Sequence, residues 1–117
     1  VVRDPPNNPK DSSSCVATAF AGHKEVGDLC WTRRAKVLHP DAQVVAASRV
    51  RSRQVDVVDL TPLMCNKQFC MPVIGGVLVH KDGDHLSTTF AATMAPYIDR
   101  ALGRIRPRIE GFGRSTP

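Results

Sequence analysis

Four cysteines in 117 residues constrain this chain more than any other feature. They stand at Cys15, Cys30, Cys65 and Cys70. An even count with near neighbours favours two local disulfides, Cys15–Cys30 and Cys65–Cys70, although four cysteines permit three connectivities. The competing reading is a zinc site that recruits His23 or His80. Zinc sites usually carry two close Cys or His pairs, and only Cys65 and Cys70 are close here. Disulfides persist in oxidising compartments, so the first reading places the chain in the periplasm or outside the cell.

The length suits one domain, and a chain of this size buries about two thirds of its unfolded surface. Hydrophobic residues make up 42% but aromatics only 5%, so the core must be built from Val, Ala, Leu and Ile. No apolar run approaches the ~20 residues of a membrane-spanning helix. The first residues lack the basic-then-apolar order of a signal peptide. Val1-Val2-Arg3-Asp4 reads as the end of a buried strand, so the chain is expected to be a piece of something longer.

The net charge of +5 and the pI near 9.4 suit an anionic neighbour such as nucleic acid, membrane surface or glycan. Arg49, Arg51 and Arg53 alternate, and Arg100, Arg104, Arg106 and Arg108 follow a helical pattern. No aromatic residues are interleaved with them to stack bases. The arginines therefore read as a solvated basic face, and no nucleic-acid partner is expected.

Pro5, Pro6 and Pro9 make residues 4–14 a loop. Val26, Leu29, Cys30, the Arg33 stem and Val37 recur at helical spacing and predict a helix from Glu25 to Leu38. Asp41 can cap a second helix through Arg51, with Val44, Val45, Ala47 and Val50 on its buried side. Val55–Leu60 alternates like a short strand, and Thr61-Pro62 suits the start of one helical turn. Val73-Ile74 and Val77–His80 read as extended segments around Gly75-Gly76, followed by a tight turn at Lys81–Asp84. Leu86, Phe90, Met94, Ile98, Leu102 and Ile105 predict a last helix, with Pro96 as a candidate kink. Strands alternating with helices predict an α/β domain with a mainly parallel sheet. In such sheets, function collects beyond the carboxyl ends of strands, where Asp82–His85 is placed.

A carboxylate three residues before a histidine, in a strand-to-helix turn, can hold the Nδ1 proton and leave Nε2 free as a base. Asp82 and His85 stand at that spacing. The spacing equally suits a helix-capping His85 with Asp82 and Asp84 as ordinary turn residues.

The run Cys70-Met71-Pro72-Val73-Ile74-Gly75-Gly76-Val77-Leu78-Val79-His80-Lys81-Asp82-Gly83-Asp84-His85-Leu86-Ser87, with Phe90-Ala91-Ala92-Thr93-Met94-Ala95-Pro96 after it, resembles a known family. It is similar to the end of the SGNH domain fused to bacterial membrane acyltransferases of type three. Upstream, Val55–Cys65 and Val2–Pro6 resemble that family's preceding strands, and Cys15 and Cys30 match an expected cysteine pair. The resemblance reaches about Leu102 and is densest over residues 65–96.

The resemblance implies residues 1–106 as the C-terminal part of a three-layer αβα SGNH-hydrolase-like domain, with residues 107–117 a flexible tail. It implies an extracytoplasmic domain of an O-acyltransferase anchored in the plasma membrane through an N-terminal acyltransferase domain. The implied reaction moves a short acyl group from a donor to hydroxyls of a cell-envelope glycan, with no cofactor and no metal. His85 would be the general base and Asp82 the acid that orients it. His80 replaces the family's usual tyrosine. The family's Gly-Asp-Ser nucleophile block and its Gly and Asn oxyanion blocks have no counterpart here. Ser12, Ser13, Ser14 and Ser87 lack a nucleophile's strand-to-helix context. The alternative is a non-enzymatic, exported, disulfide-stabilised binding module.

Overall fold

The computed structural model describes residues 1–8, 11–52 and 54–110, the side chains of 106–110 excepted. Helices α1 (Ser12–Ala21) and α2 (Val26–Cys30) come first, then strand β1 (Thr32–Arg33), α3 (Arg34–Val37) and α4 (Ala42–Arg49). A 3₁₀ turn at Thr61–Leu63 precedes β2 (Phe69–Cys70), β3 (Val73–Ile74), β4 (Val77–Leu78) and the long α5 (Thr88–Glu110).

Both disulfides are formed, Cys15 with Cys30 and Cys65 with Cys70. With all four sulfurs paired, no thiolate is left for zinc. The first bridge joins α1 to α2. Helix α1 begins inside the expected loop because Asp11 caps it, accepting from the Ser13 and Ser14 N–H groups.

The single helix expected from Glu25 to Leu38 is not formed. Trp31 is extended, and Thr32 and Arg33 pair antiparallel with Cys70 and Phe69. The Arg34 N–H then reaches the Gln68 carbonyl at 2.8 Å. A ladder clamped between the two disulfides outcompetes a weak helical period, because local propensity counts for only tenths of a kcal/mol per residue.

The sheet also departs from expectation. The described strands form two antiparallel pairs, β1–β2 and β3–β4, rather than one parallel sheet. Among the described residues, parallel pairing is confined to the bridge between Val2 and Val58. There the Val58 N–H donates to Val1 and the Arg3 N–H donates to Val58, at 2.8 and 2.9 Å. Val55–Leu60 therefore contributes one bridging residue instead of a full strand.

Asp41 caps α4 through the Gln43 and Val44 N–H groups, and also accepts from the Asp4 N–H at 2.9 Å. The expected buried side of α4 is absent. None of its residues is buried, Val44 and Ala47 are half-covered, and Val45 and Val50 are exposed.

The core is a cluster of Val37, Met64, Cys65, Cys70, Val79, Phe90 and Met94, flanked by Leu60, Leu63, Ile74, Val77 and Leu86. Helix α5 contributes Phe90 and Met94 to it and buries Ala101 farther along, whereas Leu102 is 54% exposed. At about 100° per residue, Ala101 falls about 20° from Phe90 and Leu102 about 120° away. The expected stripe was thus one residue out of line at its end. Helix α5 runs through Pro96 and on to Glu110, so the tail expected from Pro107 begins helical. The rest of that tail, residues 111–117, lies outside the described residues. Among the described residues no helix is long and apolar enough to cross a membrane.

Candidate active site

The hairpin of β3 and β4 delivers the chain to the site. Val73 pairs with Leu78 and Ile74 with Val77, which leaves two residues for the turn. Gly75 and Gly76 have φ of 57° and 77°, the double left-handed geometry that two-residue hairpins need and that glycine adopts without penalty. After β4, Val79 is fully buried, donates to the Pro72 carbonyl and accepts from the Ser87 N–H. His80 then bridges antiparallel to Leu86, and the Lys81 N–H donates to the His85 carbonyl at 2.9 Å. Residues 81–85 are closed into a small loop.

Asp82 organises that loop. Its Oδ1 accepts from the Asp84 N–H at 3.0 Å and the His85 N–H at 2.8 Å. Both carboxylate oxygens lie 3.0 Å from His85 Nδ1. One side chain therefore shapes the backbone turn and fixes the imidazole. His85 is 69% exposed and Asp82 49%, and Nε2 bonds no described residue. A proton on Nδ1 held by a carboxylate leaves the Nε2 lone pair free toward solvent, the tautomer a general base requires.

The backbone N–H of His85, then that of Asp84 and the His85 ring, hold the Asp82 carboxyl at about 2, below its reference of 3.8. A depressed folded pKa means the ionised carboxylate stabilises the turn above pH 3.8. That contribution is lost as pH falls through about 2. A carbon-detected NMR titration of the Asp82 carboxyl is expected to place its midpoint near 2, and a midpoint at or above 3.8 would show that these bonds do not hold in solution.

Asp84 is exposed and does not contact the ring. It does not cap α5 either, because that helix starts at Thr88 and the cap is Ser87. The Ser87 hydroxyl accepts from the Phe90 N–H at 3.1 Å and donates to the Leu78 carbonyl. Its position near His85 in sequence is thus a structural one. Ser13 and Ser14 give their hydroxyls to Asp11, and the buried Ser12 hydroxyl takes a hydrogen bond from Asn8.

Three supports of the turn were not legible in the sequence. The Asn8 N–H donates to the Gly83 carbonyl at 2.8 Å, and the Asn7 N–H to the Val37 carbonyl at 3.0 Å. His80 is only 4% exposed and hydrogen-bonds the Pro6 carbonyl, while its Nε2 is buried without a partner. Burial lowers the His80 pKa from 6.5, the Pro6 bond and the charges of Asp82 and Asp84 opposing it. The Pro-rich opening segment is therefore a brace under the Asp82–His85 loop. Asn7 and Asn8 belong to no motif, and Pro6 marks only a strand end, so no local signal pointed to the brace. Among the described residues, no three His, Cys, Asp or Glu side chains gather as a metal would need.

No curated protein and no solved structure matches the chain. A family model does, that of the SGNH domain (fused to AT3 domains), over residues 1–100. The match spans the paired cysteines, the core, the β3–β4 hairpin and the Asp82–His85 loop, and on that ground this chain belongs to the family of acyltransferase-associated SGNH domains.

Proposed function

We propose that Asp82 and His85 are the acid and base of an extracytoplasmic O-acyltransferase that places short acyl groups on hydroxyls of cell-envelope glycans. The observation that carries the reading is the two-oxygen contact of Asp82 with His85 Nδ1, in a loop that leaves Nε2 open. Membership of a family of domains fused to AT3 domains supports an acyltransferase domain in the same parent protein, anchored in the plasma membrane.

In the proposed cycle a serine hydroxyl of the parent attacks the acyl carbonyl of the donor. His85 Nε2 takes the serine proton, and Asp82 stabilises the imidazolium. The imidazolium returns the proton to the departing group, leaving an acyl-serine. The glycan hydroxyl then attacks that ester, His85 takes its proton, and the serine oxygen leaves and recovers a proton from His85. Each half-reaction makes one C–O bond and breaks the donor or ester bond, with the proton held at Nε2 between.

The chain carries neither the nucleophile block nor the oxyanion blocks, and one oxyanion donor is typically worth about 10²–10³ in rate. The 117-residue chain is therefore expected to hydrolyse p-nitrophenyl acetate no faster than free imidazole does. Rapid turnover lost on replacing Ser87 or Ser14 would identify a nucleophile that the proposal denies. The test of the proposal itself is the pair Asp82→Asn and Asp84→Asn in the parent protein.

A further inference from the structure

The β1–β2 ladder carries a second feature that the acid–base loop does not use. A hollow of about 320 Å³ is lined by Arg33, Ala35, Lys67, Gln68 and Phe69. Its lining holds two cations, one amide and one aromatic ring, and no carboxylate. Arg33 and Lys67 are exposed and make no ion pair with any described residue. Their charge is therefore uncompensated within the hollow.

The hollow is also built rigidly. Arg33 and Phe69 are direct partners across the ladder. Asn66 Oδ1 accepts from the Gln68 and Phe69 N–H groups at 2.8 and 2.7 Å, which fixes the turn holding Lys67. Disulfide cysteines flank the aromatic pair, Cys30 just before Trp31 and Cys70 just after Phe69. The Trp31 ring lies 5.9 Å from Phe69, tilted by 46°, and is still 39% exposed. A Cβ on Gly27 would come within 3.3 Å of the Trp31 ring, so the absence of that carbon seats the indole.

We propose that this hollow binds a saccharide carrying carboxylates. Sugar rings offer C–H faces to aromatic side chains and hydroxyls to an amide such as Gln68. Arg33 presents a planar fork suited to a carboxylate, and Lys67 supplies a second point charge. A neutral sugar would leave both charges unused, and a bare inorganic anion would leave the Phe69 ring unused. Duplex DNA offers phosphates but no exposed ring for Phe69 to meet. The site is independent of the role proposed for His85.

Trp31 is the single tryptophan and packs against Phe69 of the lining, so its fluorescence reports changes at that ring. The chain is titrated with penta-galacturonate, with neutral maltopentaose and with a DNA duplex of equal charge. The expected result is a saturable change with the galacturonate, at least tenfold weaker binding of maltopentaose, and weaker binding of DNA. Arg33→Gln with Lys67→Gln is expected to weaken galacturonate binding at least tenfold, and Lys67→Gln alone by a smaller factor. Both side chains are exposed, so the variants keep the disulfides and the circular dichroism of the chain. No saturable response, equal binding of the neutral sugar, tighter binding of DNA, or variants that bind like the unaltered chain overturns the proposal. None of these readouts requires acyl transfer, so an inactive His85 does not affect them.

Discussion

Asp82→Asn in the parent protein is expected to lower acyl transfer by roughly 10⁴-fold, the loss seen when the orienting carboxylate of a serine–histidine system becomes an amide. Asp84→Asn is expected to stay within about twofold, as exposed substitutions usually do. The turn itself explains why the first change is a clean test. Asp82 Oδ1 accepts from two backbone N–H groups, and an asparagine Oδ1 can accept from the same two. The loop therefore survives. What changes is the group facing His85 Nδ1, where an acceptor becomes an NH₂ donor. A donor there competes for Nδ1 while Oδ1 stays shared with the two backbone N–H groups, which favours the tautomer with its proton on Nε2, the atom that must be free. The loss should fall on kcat, with KM for the acyl donor little altered, because Asp82 is argued to act through the imidazole. Unchanged circular dichroism would separate this from unfolding. Equal and negligible losses from both substitutions would remove Asp82 from the mechanism, and a larger loss from Asp84→Asn would reverse the assignment.

Replacing Cys15 and Cys30 by serine is expected to cost about 3 kcal/mol, the chain-entropy value for a loop of ~15 residues. For a domain of this size that is a fall in Tm of roughly 10–20 °C. The effect is large because the region has little else to hold it. Helix α1 buries only Ser12 and Ala19, and α2 has five residues of which only Cys30 is buried. Helices that short do not persist alone. Thermal unfolding followed by circular dichroism measures the shift. Titration of the denatured, unreduced chain is expected to find no free thiol, matching the two bridges. Four free thiols, or an unshifted Tm in the variant, would show that the bridge does not form or does not hold α1 to α2.

Some features could be read directly because each is decided by neighbours in sequence. Gly75-Gly76 between apolar pairs suffices for a hairpin, since only residues free of a Cβ adopt both positive φ values without penalty. Asp41 two and three residues before Gln43 and Val44 suffices for a helix cap. Asp82 and His85 lie three residues apart around a glycine, close enough for the turn alone to join them. The disulfides lay within reach of proximity, and the family within reach of residues 65–96.

Other features depend on partners distant in the chain, and no local pattern announces them. Residues 25–38 alternate at helical spacing, yet Phe69 and Cys70 arrive from the other side of the core and draw Thr32 and Arg33 into a ladder. The valines of α4 look like a buried face but find no element to cover them. Ser87 looks like a hydroxyl beside a base, but Leu78 and the first turn of α5 occupy it. The Asn8–Gly83 and His80–Pro6 contacts that brace the Asp82–His85 loop cross more than 70 residues. The Asp82–His85 contact and its turn could be read from the chain because they rest on short-range stereochemistry, and the family because its motif residues stand close together between residues 65 and 96. Which expected helix breaks, which apolar faces stay exposed and what holds the loop depend on residues far apart in the chain, because long-range hydrogen bonds and burial outweigh tenths of a kcal/mol of local preference.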